Sequence, residues 1–194
     1  MPRDPLNVSE LRMIVHSGTH VDAPLHVIAD GPGFDEIPLE RLHGPGMMID
    51  IPSEPQRAIE VIDLGEAAGN IRPGDIVCLR SDWMRHADSP AYGDHPYLTL
   101  SAARFLADRQ IRLLAIDWPS PDLPIPLRSP GFDWPIHRLL LGEGILIAEN
   151  LRIEAALEAG PMDFIFAALS LVGADGAPAR VLARPSEASQ RHPS

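Results

Sequence analysis

Apolar stretches of four to seven residues recur along the chain, separated by breaks rich in proline and glycine. Leu11 to His16 sets Leu11, Met13 and Val15 against Arg12, Ile14 and His16, which predicts a strand delivering His16 at its end. Ile28 to Gly46 is polar and reads as a long loop with at most one short helix around Leu39 to Leu42; its Phe34 either lines a binding site or packs the loop. Met47 to Ile51 predicts a strand, Ile62 to Gly69 a short helix stopped by Gly69-Asn70, and Arg72-Pro73-Gly74-Asp75 a turn into a buried strand at Ile76 to Arg80. Trp83 to Pro96 is irregular, and Thr99 or Ser101 caps a helix reaching about Gln110. Ile111 to Asp117 is another strand, and Pro119 to Pro135 a loop with six prolines. The remaining elements are a helix from Trp134 to Leu141 ended by Gly142, a strand from Ile145 to Ala148 leading to Glu149, a helix from Ile153 to Ala159, and a last buried strand from Asp163 to Val172. Met1 to Val8 reads as irregular and residues 185–194 as a disordered tail, leaving 1–184 as one domain. Short strands alternating with few helices indicate an α/β fold. Periodicity by itself leaves a doubly wound sheet and a barrel-like mixed sheet both open.

One stretch breaks the pattern of loops and elements with chemistry. His16-Ser17-Gly18-Thr19-His20-Val21-Asp22-Ala23-Pro24-Leu25-His26 holds three histidines and one carboxylate in eleven residues. Gly18, the β-branched Thr19 and Pro24 disfavour a helix, so a strand running into a loop fits best. His20 and Asp22 then point the same way, because strand side chains alternate with a period of two. Neutral imidazole and carboxylate together suit zinc, manganese or iron.

Charge and composition narrow the partners. With 27 acidic and 16 basic residues the formal charge is −11, which argues against a nucleic-acid partner. No apolar run is long enough to span a membrane, and no secretory signal opens the sequence, so a cytoplasmic location and no membrane partner are expected. Cys78 is the single cysteine, so no disulfide can form within the chain, and its place in a buried strand pattern makes it inert. No Gly-x-Ser-x-Gly elbow is present to support a serine-hydrolase route.

The pattern His-x-Gly-Thr-His-x-Asp-x-Pro-x-His resembles the signature of the cyclase family, which includes metal-dependent bacterial kynurenine formamidases and isatin hydrolases. A second block is similar as well: Phe132-Asp133-Trp134-Pro135-Ile136-His137, Leu139-Leu140-Leu141-Gly142 and Ile147-Ala148-Glu149-Asn150-Leu151. The resemblance runs from about Arg12 to about Arg184. It implies a swivelling β/β/α domain with a mixed central sheet. The family pattern normally has a strand and a Pro- and Gly-rich turn before the first motif, so the N-terminal edge of this chain is expected to be short.

The resemblance also implies roles. His16, His20 and Asp22 match ligands of a first metal, Asp22 also bridging to a second. His137 matches a ligand of the second metal and Glu149 the carboxylate joining the two ions. His26 matches a catalytic histidine that is not a ligand. Two divalent ions, zinc or alternatively manganese, would activate a water against a small aromatic amide, an N-formylkynurenine-type arylformamidase reaction. The alternatives are an isatin-type cyclic amide hydrolase, a polyketide-type cyclase, or an inactive metal-binding protein. A homodimer or homotetramer is implied too. Asp117 is expected to be structural or to orient a ligand. Trp83, Trp118 and Trp134 are candidates for an aromatic pocket, with at least one of them in the core. His43, His86, His95 and His192 read as surface or loop residues.

Overall fold

Seven strands of mixed direction curl into a closed barrel, and two short helices lie against its outside. The computed structural model describes residues 6–186. In chain order the elements are β1 (His20–Asp22), β2 (His43–Asp50), β3 (Ala58–Ile59), β4 (Ile76–Arg80), β5 (Tyr97–Leu98), α1 (Leu100–Asp108), β6 (Leu113–Ile116), α2 (Pro135–Gly142), β7 (Leu146–Glu149), β8 (Gly160–Ala168) and β9 (Gly176–Pro185). The barrel order is β1-β7-β6-β4-β2-β8-β9, with β3 and β5 forming a separate two-stranded sheet. β2, β4, β6 and β7 pair in parallel; β8 and β9 are antiparallel to their neighbours, and β1 closes the ring antiparallel to both β7 and β9. This is the mixed sheet in an α/β domain that the resemblance implies.

The apolar runs are explained by burial on both faces. Met47, Ile49, Val77, Leu79, Leu114, Ile116 and Ile147 point outward into a core shared with α1 and α2. Met48, Ile76, Cys78, Leu113, Ala115, Leu146 and Ala148 point into the barrel against Phe164 and Phe166 of β8. A strand whose two faces are both withdrawn from water needs no polar alternation. Each Leu, Ile or Val so buried stabilises the fold by about 1.5–3 kcal/mol over an exposed one. Thr99 caps α1, its Oγ1 accepting from Ala102 N at 3.2 Å.

Several expectations are corrected. Leu11 to His16 is not a strand: it has alternation but, among the described residues, no strand to pair with, and Leu11 and Ile14 are exposed. The strand expected at Met47 starts earlier, at His43, where the polar His43-Gly44-Pro45 pairs with β8. Val61–Asn70 is 3₁₀ with a break at Gly65, whose φ is 55°. No helix forms at residues 153–159, which are turn and coil. The last strand is not at 163–172. β8 ends at Ala168 and a further strand, β9, follows; its Arg- and Ala-rich outer half lacks the apolar run that marks a strand in sequence. Pro185 and Ser186 belong to the paired edge, Ser186 N donating to Pro161 O at 3.0 Å, so the tail does not begin at 185; 187–194 and the irregular segment expected at 1–5 lie outside the described residues.

The β2–β4 pair is the tightest seam. A Cβ on Gly46 would sit 1.9 Å from the backbone oxygen of Ile76, its register partner. Gly46→Ala is expected to destabilise the fold by about 3 kcal/mol, the upper range for overpacking, because the obstacle is backbone and cannot rotate away. Urea unfolding measures this, and an unchanged midpoint would mean the strands lie further apart.

Candidate metal centre

The site grows out of strand alternation. In β1, Val21 points into the barrel, so His20 and Asp22 face the helices. In β7, Leu146 and Ala148 point inward, so Glu149 also faces the helices, in phase with Ile147. The antiparallel register then sets His20 directly against Glu149. α2 lies over this face with Ile136, His137, Leu140 and Leu141 buried, and it lowers His137 onto the two carboxylates. His137 Nε2 is 3.3 Å from Glu149 Oε1 and 3.6 Å from Asp22 Oδ2. His20 Nε2 is 3.2 Å from Asp22 Oδ1 and 3.5 Å from Glu149 Oε2.

The flanks of β1 bring in the other two histidines. Gly18, at φ 63°, turns the chain before the strand and its carbonyl accepts from His20 Nδ1 at 2.8 Å. Thr19 Oγ1 donates to Asn150 O at 2.7 Å, tying β1 to the end of β7. His16 Nδ1 reaches Asp22 Oδ1 at 2.8 Å and its Nε2 reaches Asp175 Oδ2 at 3.0 Å. After the strand, Pro24–His26 forms one 3₁₀ turn that folds His26 back, so its ring stacks on His16 at 4.0 Å. All six residues singled out in the sequence therefore converge.

The electrostatics are those of a site that wants positive charge. Burial, and then the charge of Asp22, raise the pKa of Glu149. Burial would raise Asp22 as well, but the imidazoles of His137, His16 and His20 gathered around it hold it well below the usual carboxylate range. Burial pulls the histidines down, yet the carboxylates outweigh it: Asp22 and Asp175 lift His16 to about 9, and Asp122, Asp22 and Glu149 raise His137 well above its ordinary value. His26 goes the other way, lowered chiefly by burial.

The donor set fits divalent cations. His20 Nε2, Asp22 Oδ2 and Glu149 Oε1 are buried without any hydrogen-bond partner. Burying such atoms unpaired is costly, and a shared cation satisfies all three. One ligand atom each from His20, Asp22 and Glu149 lies within 4.8 Å of the others, and a second such group is His16, Asp22 and His26. His16 stands between two carboxylates, so unless the ring is protonated its nitrogen lone pair faces one of them. A cation beside Asp22 removes that conflict.

Two carboxylates of the site carried no recognised signal. Asp122 lies in the proline-rich loop and is buried; its Oδ2 accepts from His137 Nδ1 at 2.6 Å and from His137 N at 3.0 Å, while Oδ1 accepts from Ile136 N at 2.9 Å. It fixes both the start of α2 and the His137 tautomer. Asp117, expected to be structural or to orient a ligand, is structural: it accepts from Ser81 N, Ser81 Oγ and Asp82 N and anchors the loop after β4. Asp175, in the loop between β8 and β9, is the second.

The aromatic candidates divide. Trp83 and Trp118 are fully buried core residues, and Phe34 packs inside the barrel. Trp134 stands at the site: its ring is 5.6 Å from that of His137, it is 37% exposed, and the Arg128 guanidinium lies 4.0 Å over it. It holds φ 58°, a strained setting for a bulky side chain and one common at functional sites. A cleft of about 420 Å³ opens beside His16, His20 and Glu149, walled by Met84, Tyr92 and Pro119. His43 is exposed and His86 half-buried; His95, expected as a surface or loop residue, lies in a loop, is buried at 4% exposure and donates from Nδ1 to Pro96 O, outside the cluster. His192 lies outside the described residues. Cys78 is buried inside the barrel, and burial pushes its thiol up, so it is inert.

Known proteins share this fold. The profile of the Cyclase family matches residues 2–123. A kynurenine formamidase from Salinibacter ruber is 35% identical over 185 residues, covering 92% of this chain and 80% of that protein. A solved structure described as a potential metal-dependent hydrolase with cyclase activity superimposes with a TM-score of 0.74 at 35% identity, covering 89% of this chain and 80% of that one. Isatin hydrolase A from Labrenzia aggregata, bound to benzyl benzoate, gives a TM-score of 0.74 at 30% identity over 87% of this chain and 72% of its own. A family profile spanning the larger part of the sequence, and relatives alike across nearly all of it, establish that the chain belongs to the Cyclase family.

Proposed function

We propose that the protein is a metal-dependent amidohydrolase that cleaves a non-peptide C–N bond, and that its substrate is a small aromatic formamide of the N-formylkynurenine type. The observation that carries the reading is the set of three buried, unpartnered donor atoms on His20, Asp22 and Glu149, in a chain of this family. In this reading His16, His20, Asp22, His137 and Glu149 hold two divalent ions, zinc or else manganese, with the two carboxylates offsetting the repulsion between the ions. Bound there, the ions supply Lewis acidity and lower the pKa of water. The relatives named kynurenine formamidase favour the formamide, and those named isatin hydrolase keep a cyclic aromatic amide as the second reading.

The protein's own residues do the rest. His26 is less buried than the ligand cluster and its ring lies 5.7 Å from that of His137. Its lowered pKa keeps it neutral at pH 7, able to take a proton from attacking water and return it to the departing nitrogen. Trp134 offers a face for an aromatic ring. The enzyme is proposed to work in the cytoplasm as a homodimer or homotetramer, with no nucleic-acid or membrane partner; among the described residues no helix is long and apolar enough to cross a membrane.

Turnover of N-formylkynurenine and isatin by zinc- or manganese-loaded protein tests the substrate. Robust ester or cyclase activity without amide cleavage would overturn the assignment. Glu149→Ala is expected to lower occupancy of both ions in elemental analysis, and full metal content in that variant would end the bridging role. His26→Ala should keep its metal and lose about 10²–10⁴ in kcat. Loss of metal there would make His26 a ligand instead. Asp122→Asn, which replaces the acceptor on His137 Nδ1, is expected to weaken metal binding about 10–100-fold in a chelator competition, and unchanged affinity would sink its orienting role.

A further inference from the structure

Asp175 belongs to none of the strands that build the site and comes from a distant part of the chain, yet it touches two of its histidines. Its loop is fastened on three sides. Ala23 N donates to Asp175 O at 2.9 Å, just past β1; Phe34 N donates to Ala174 O at 2.8 Å; Gly173 N donates to Asp35 Oδ1 at 2.8 Å. The next residue is glycine for a steric reason: a Cβ on Gly176 would come 2.8 Å from His16 Cε1 and 3.0 Å from Val21 O. The Asp175-Gly176 pair is thus pressed directly against the first motif, and the carboxylate has little freedom to choose another place.

From there, Asp175 Oδ2 lies 3.2 Å from His26 Nδ1, and 3.0 Å from His16 Nε2. Among the described residues His26 makes no other side-chain hydrogen bond. An ionised carboxylate only accepts, so the hydrogen of the neutral His26 ring must sit on Nδ1. That leaves Nε2 as the basic nitrogen. Free in water, a neutral imidazole prefers the opposite tautomer, with the hydrogen on Nε2, and an untethered ring on a 3₁₀ turn could also rotate away.

We propose that Asp175 is a positioning residue for proton transfer: by accepting from Nδ1 it fixes the His26 ring and presents Nε2 as the nitrogen that exchanges protons with substrate. The inference rests on the reading of His26 as the proton-transfer group. The bookkeeping closes without a further reagent. The water oxygen bonds to the carbonyl carbon as its proton passes to His26 Nε2; the C–N bond then breaks and the same proton passes to the departing nitrogen, leaving the acid and the amine; Asp175 stays ionised throughout and offsets the transient charge on the ring.

The test uses metal-loaded enzyme and Asp175→Asn, which is isosteric at a side chain that is 44% exposed. Its kcat on a hydrolysed amide should fall about 10–100-fold, with KM and metal content unchanged. Added to His26→Ala, the same substitution should cost nothing more, because it acts only through that ring. Nitrogen NMR of the zinc-loaded protein should show the His26 hydrogen moving from Nδ1 to Nε2 in the variant. Loss of metal in Asp175→Asn, or an additive loss of rate in the double variant, would assign Asp175 to His16 and overturn the proposal. Unchanged kcat in Asp175→Asn, while His26→Ala is slow, would overturn it as well. Normal turnover by His26→Ala would be a different failure, that of the proton-transfer role itself.

Discussion

Two carboxylates buried within 4.8 Å of each other are the constraint around which this molecule is arranged. Asp22 and Glu149 cannot both stay ionised in a dry place unless positive charge or donors surround them. The fold supplies three histidines at hydrogen-bonding distance and still leaves an oxygen on each carboxylate without a partner. The opposing pKa shifts of the two acids express one conflict, divided unequally: Asp22 has the histidines, Glu149 has mainly burial and Asp22's charge. A cation between them resolves it, which is why the site reads as a metal centre from its energetics as well as from its ligand types.

The structural device that creates this conflict is β1. It is only three residues long, yet it pairs on both sides and closes the barrel. One face of it, Val21, is core; the other, His20 and Asp22, is the site. Closure and chemistry therefore depend on the same backbone hydrogen bonds, and a slip of one residue would turn both ligands into the barrel. Rigid strands on either side make a more exact frame than a loop could.

Much of the site was legible in the sequence because its signal is local. The period of two in a strand places His20 and Asp22 together, the ordered motif singles out His16 and His26, and the second block carries His137 and Glu149. Asp122 and Asp175 were not legible. Each sits in a loop next to a proline or glycine, with nothing nearby to mark it, and each reaches its histidine only because the chain returns from fifteen or more residues away. Asp117 ends an apolar strand, which left a structural and an orienting role both open, and that strand end faces the loop after β4, so its role is structural. The burial of Phe34 and His95 was not legible for the same reason: burial of a loop residue is decided by what folds over it.

Local periodicity and capping were enough to read the α/β class, the buried parallel strands from Ile76, Ile111 and Ile145, and the helices α1 and α2, and the resemblance carried by two ordered motifs named the six residues that gather at the site. Closure of the sheet, the existence of β9, the lack of a helix at residues 153–159 and the choice of carboxylates that hold the histidines are set by contacts between distant segments. Strand pairing and second partners are long-range events. Leu11 to His16 has the alternation of a strand and is none, because among the described residues no strand pairs with it, whereas the weakly patterned β9 is a strand because β8 and β1 flank it.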